Sequence, residues 1–214
     1  MSVCARSITG DSRSDQVWSD FIASLQGISD RETDQLGALQ LNRQVAQHCP
    51  SIIQAPDLQR ALALCPQRHE LKTPSWWTPL YQDPSCQISL VAVYRGQDMP
   101  LHDHTGSFGL SLVLSGRVRI RYARSMSVDP ATGMTQIRVA GTHECTAQQA
   151  SWFGQRLNLH SIEAVTARAQ ILVVHMPPIN REKQAIYFPL EDKPWSSGQR
   201  IRSKRVRLQY NMGH

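Results

Sequence analysis

A mainly β protein, with one closed antiparallel barrel behind an N-terminal helical segment, is the fold class the sequence predicts, and three observations carry it. Apolar residues in the first part of the chain recur at helical spacing and are punctuated by Pro50, Pro56 and Pro66. From Gln87 onward they come in short runs of strand length, separated by turn signals. Between Gly96 and Gly116, His102 and His104 stand two residues apart, and an extended chain turns alternate side chains to one face. Helices first and a closed sheet second predict one structural domain, with residues 1–70 packed on a barrel built from 71–214.

In chain order, Val17, Trp18, Phe21, Ile22 and Leu25 fall at helical spacing behind the caps Ser14 and Asp15, so residues 15–26 are expected to form an amphipathic helix ended by Gly27. A polar-rich helix over 32–48 and another over 55–64 follow, each closed by a proline-containing break. His48 and His69 lie in or near those breaks and read as surface or capping residues. The stretch with Pro74, Trp76, Trp77, Pro79 and Tyr81 cannot be a continuous helix and is expected to pack across the barrel. Strands are predicted over 87–94, 109–114, 117–122, 135–139, 142–146 and 170–175, with a strong turn at Asp129-Pro130-Ala131-Thr132-Gly133.

Composition excludes several classes. Apolar residues at 41% and charged residues at 19% leave no long disordered tract. No apolar run approaches the roughly 18 residues of a membrane span, and residues 1–15 lack the apolar core of a secretion signal. A cytoplasmic monomer is the expectation. The five cysteines are scattered, without a Cys-x-x-Cys pair, which argues against a disulfide scaffold or zinc ribbon. Six of the 23 Lys and Arg residues lie from Lys193 to the end with no acid among them, so the remainder balances the 17 Asp and Glu. Val206, Leu208 and Tyr210 alternate there with Arg205, Arg207 and Gln209, which reads as an edge strand with one face packed. This small cluster is read as a solvated edge in preference to a nucleic-acid site.

The spacing Gly96, five residues, His102-Asp103-His104, eleven residues, Gly116 resembles the first motif of the cupin superfamily, whose barrel is a double-stranded β-helix, or jelly roll, carrying a metal inside. Most cupins add a glutamate ligand five residues after the second histidine, where this chain has Gly109. The third ligand is then assigned to His160, in Asn158-Leu159-His160-Ser161-Ile162. Together with Pro177-Pro178, these stretches resemble the cysteamine dioxygenase and plant cysteine oxidase family over roughly 86–190. The resemblance implies His102, His104 and His160 as Fe(II) ligands, with a small-molecule thiol and dioxygen as substrates. Tyr187 matches a tyrosine after the double proline and is the candidate catalytic residue, its hydroxyl reaching the reactants, with plain packing as the alternative. His143 and His175 are weighed as a fourth polar group or another third ligand; packing is favoured for both, because neither lies in a stretch like the ligand motif.

Three neutral imidazoles leave the charge of a ferrous ion uncompensated and about three positions open, a setting in which a thiol loses its proton and binds as the anion. The expected product is a sulfinic acid holding both oxygen atoms. Gln184 and Ile186 stand where the family has a cysteine and another tyrosine, so a thioether cross-link is not expected, and Val173 stands where the family has an acid. A thiol carrying a carboxylate, met by Arg121 or Arg156, is therefore an alternative to cysteamine. The competing class is a non-catalytic cupin that senses a small ligand or binds a partner.

Overall fold

The computed structural model describes residues 12–25, 35–66, 75–154, 157–180, 184–191 and 195–207, with 35–42 described as backbone only. Helices α1 (Ser12–Leu25), α2 (Gln35–Ile53) and α3 (Pro56–Ala63) precede strands β1 (Ser75–Gln82), β2 (Gln87–Tyr94), β3 (Met99–Asp103), β4 (Phe108–Ser115), β5 (Arg117–Val128) and β6 (Met134–Thr146). Strands β7 (Ala150–Phe153), β8 (Leu159–Ala164), β9 (Arg168–Met176), β10 (Ala185–Pro189) and β11 (Arg200–Arg207) follow. One sheet runs β1-β2-β9-β4-β7; the other, β10-β11-β6-β5-β8-β3, closes on itself. Among the described residues no helix is long and apolar enough to cross a membrane.

Alternation along the strands sorts the core into three layers. Ile88, Leu90, Leu110, Leu112, Leu172 and Val174 turn to one face of the five-stranded sheet, where they meet Trp18, Phe21, Leu25, Ile52 and Leu58 from the helices. Each of these fully buried side chains contributes roughly 1.5–3 kcal/mol, so the helices belong to the same folding unit as the sheet. On its other face Val91, Val93, Val113, Ile171 and Val173 meet Val118, Ile120 and Ile162 of the second sheet. Strand β2 is consequently buried at every residue, as its near-continuous apolar sequence requires. Inside the closed six-stranded ring lies a third cluster with Leu101, Ala123, Ile137, Val139, Leu159, Ala185, Tyr187 and Ile201.

Three expectations are revised. Pro50 does not close α2, which runs through it to Ile53; burial of Val45, Cys49 and Ile52 against the sheet outweighs a proline penalty of about 3 kcal/mol. His48 accordingly lies within the helix, half-buried, its ring 5.9 Å from that of Phe21. The two strands expected over 135–146 are one, because β5 pairs with both halves across a register shift, with Tyr122 opposite Gly141 and Ala123 opposite Val139. The basic strand β11 is no edge: it pairs with both β10 and β6. Its phase is also inverted, with Val206 42% exposed and Arg205 turned inward to Tyr187. Leu208, Tyr210, His69 and Arg156 lie outside the described residues.

Candidate metal centre

Strand β3 carries His102 between two partners, opposite His160 of β8 and Ile186 of β10. Directly opposed residues share a face, so His102 and His160 project together into the seam between the two sheets. His104 follows just past the strand end, where a turn closes through Ser107 N–H donating to the His104 carbonyl at 2.8 Å. Gly106 lies within this turn at φ 85°, a conformation other residues resist. The ring centroids of His102, His104 and His160 are 4.7 Å apart for every pair. Their ligand atoms lie within 4.8 Å of one another, and among the described residues no carboxylate oxygen or thiol joins a metal-ligating group of this kind.

The ring orientations show which nitrogens face the centre. His102 donates Nδ1–H to the Pro100 carbonyl at 2.8 Å, which leaves Nε2 for the seam. His104 and His160 bring their Nε2 atoms to 3.1 Å. Adjacent imidazole ligands about 2.1 Å from one cation stand about 3 Å apart, so the spacing fits a shared metal ion. Burial pushes the ring of His102 below its usual range. His104 and His160 are pushed well below it, first by burial and then by the neighbouring imidazoles. Neutral rings with bare nitrogens are what a metal requires of histidine.

Three further side chains frame the ligands. Phe153 of β7 stacks on His104 at 4.4 Å and 25°, and meets His160 edge-on at 5.3 Å. Tyr122 of β5 lies 6.1 Å from His160, its hydroxyl on Ser151. His175 of β9 brings Nε2 to 3.1 Å from His104 Nδ1. Sequence pattern gave no signal for Phe153 or Tyr122, because only strand register puts them beside the histidines. His175, read from sequence as packing, is buried against a ligand. Gly109 pairs with Phe153 on one side and His175 on the other. A Cβ there would lie 1.8 Å from the Val174 carbonyl oxygen. The backbone of β9 thus occupies the space that a glutamate at this position would need.

The remaining candidates fall elsewhere. Asp103 faces into the six-stranded ring, where Oδ1 accepts from Ala185 N–H at 3.0 Å and Oδ2 from the Tyr187 hydroxyl at 2.9 Å. Arg205 Nε donates to that hydroxyl at 3.0 Å, so the structure sets Tyr187 on the face of β3 opposite His102 and His104. His143 is exposed on β6, 5.9 Å by ring centroid from Tyr122. Arg121 is tied to Glu163 Oε2 at 2.7 Å, on the face of β5 away from Tyr122, and does not serve the seam. Val173 is buried in the apolar interior.

A family profile, PCO_ADO, matches residues 36–208. The chain belongs to the PCO_ADO family. This is the cysteamine dioxygenase and plant cysteine oxidase family that its histidine and double-proline stretches resemble. No curated protein matches in sequence. Among solved structures, the chain is similar to KdgF from Halomonas sp. at 11% identity, TM-score 0.38, over 50% of this chain and 83% of that one. It is also similar to the Schizosaccharomyces pombe Cnp3 cupin domain (13%, TM-score 0.38, 48% and 61%) and to the nucleoside dehydratase Pac13 of Streptomyces (16%, TM-score 0.39, 53% and 78%).

Proposed function

We propose that the protein is a non-haem iron thiol dioxygenase, converting a small thiol or an N-terminal cysteine to the sulfinic acid with both atoms of dioxygen. The observation that carries this reading is a buried set of three neutral imidazoles without a carboxylate in a chain of this family. A ferrous ion held by His102, His104 and His160 would supply positive charge and open positions for a thiolate and dioxygen. The chain's own part is to hold, exclude and orient. Phe153, Ile162 and Val173 keep the interior apolar, so water is excluded and charge interactions strengthen. Val173 places no anion where an ammonium group would need one. Tyr187 acts through Asp103, bracing β3 from behind, and serves as a positioning residue in place of a direct catalytic one.

The reaction balances without a reductant, since one thiol and one dioxygen give one sulfinic acid. The test is oxygen-electrode consumption with mass spectrometry of products, using ferrous-loaded protein and cysteamine, cysteine, mercaptopropionate and a short peptide beginning with cysteine. Oxygen uptake is expected only after a thiol is added, with a gain of two oxygen atoms on its sulfur. His102→Ala, His104→Ala and His160→Ala are each expected to lose iron and uptake together. Iron binding with uptake driven by a thiol-free compound, and by none of these thiols, overturns the assignment.

A further inference from the structure

The geometry points to His175 as the positioning residue of the metal centre: its Nε2 accepts the Nδ1–H of His104 and locks that ligand in the tautomer that leaves Nε2 bare. The two nitrogens are 3.1 Å apart, and His175 is 5% exposed. A neutral imidazole carries one proton. Once His104 Nε2 serves a cation, that proton resides on Nδ1, which faces His175. His175 therefore offers a bare Nε2 and keeps its own proton on Nδ1. Both tautomers follow from a single contact.

The contact is built into the sheet. Gly109, His175 and Phe153 lie in one cross-strand row. The absent Cβ at Gly109 lets β9 approach until the Val174 carbonyl oxygen is 1.8 Å from where that atom would stand. The row thus supports His104 twice, by the Phe153 ring on its face and by His175 at its edge. His102 has a comparable outer partner in the Pro100 carbonyl. Both outer partners are neutral. They fix ring orientation without adding the negative charge a carboxylate partner would bring, so the metal's charge stays available for an anionic ligand.

This inference rests on the metal reading of the three histidines and is independent of which substrate is oxidised. Long-range 15N NMR of histidine-labelled, zinc-loaded protein should show the Nδ1–H tautomer at both His104 and His175. Cobalt affinity, measured by competition with a chromogenic chelator, should fall about 10–100-fold in His175→Leu. His175→Gln, whose amide oxygen can accept the same proton, should restore affinity to within a few-fold of the native chain. An Nε2–H tautomer at His175 in the zinc-loaded native protein overturns the inference, and so does native cobalt affinity in a folded His175→Leu. Should that variant fail to fold, the tautomer measurement decides alone. Loss of cobalt in His102→Ala with retention in His175→Leu rejects the positioning role and keeps the metal centre; retention in both rejects the two together.

Discussion

Replacing Gly109 by alanine tests how the centre excludes a carboxylate. The new Cβ would stand 1.8 Å from the Val174 carbonyl oxygen and 2.8 Å from its carbon, against a floor of 3.0 Å for real Cβ contacts. Strands β4 and β9 must therefore separate locally by at least about 1.2 Å, and the obstacle is backbone, which cannot rotate aside as a side-chain tip can. Overpacking of this kind costs roughly 1–3 kcal/mol, and stretching the ladder bonds around Gly109 and His175 places the cost near the upper end, about 3 kcal/mol. For a domain of this size that lowers the melting temperature by about 6–12 °C. His175 sits opposite the insertion, so metal affinity should fall along with stability. Gly109→Glu should fare worse and gain no fourth ligand, because its carboxyl would have to pass through β9. Thermal denaturation followed by circular dichroism, with and without cobalt, reads both effects. A Gly109→Ala protein melting within about 2 °C of the native chain with unchanged metal content refutes the steric argument.

Tyr187→Phe removes the hydroxyl shared by Asp103 and Arg205, and should cost about 1–3 kcal/mol in urea unfolding while leaving iron stoichiometry intact; lost turnover at native stability would instead mean that the hydroxyl touches the reactants. Burial, with Asp103 beside it, raises the phenol of Tyr187 to about 12. The unfolded chain then loses this proton first, so stability should hold up to about pH 10 and decline from there toward 12, with a shallower decline in Tyr187→Phe; an identical slope in both proteins discards the assignment. Trp18→Phe leaves Asp57 Oδ2 without the indole N–H that now reaches it at 2.8 Å. A loss of about 1–3 kcal/mol is expected in denaturant titration, and an unchanged midpoint shows that this bond does not hold α1 to α3.

Much of this architecture is written in local pattern. The period of Trp18, Phe21, Ile22 and Leu25 marks α1, and the apolar run of β2 matches the strand expected over 87–94 at both ends. The His-x-His spacing carries the centre because β3 is extended, so the period of two turns Asp103 away from His102 and His104. What pattern could not supply is register. Phe153 and Tyr122 reach the histidines only through pairings between distant strands. The same holds for β11, where charge alternation favours an outward Arg205. The structure turns it inward because Asp103, far away in sequence, and Tyr187, on the neighbouring strand, wait for it there. His175 lay in a stretch with no metal-binding signature, and its contact with His104 depends on the bare glycine across the sheet. Pro50 is the reverse case, a strong local stop signal overruled by the apolar surface its helix covers.

The six-stranded ring closes with the chain's last described strand, and that imposes an order on how the molecule is made. Strand β3 lies roughly a hundred residues ahead of β11, which at 5–20 residues per second leaves about 5–20 s of translation between them. Throughout that interval the ring is open, and the Asp103 side chain awaits Tyr187 and Arg205. The sheet that rests on the helices can begin pairing earlier, through β1 and β2, but its central strand β9 is also late. The three histidines, carried by β3, the turn after it and β8, are therefore all present before the ring can close around Asp103.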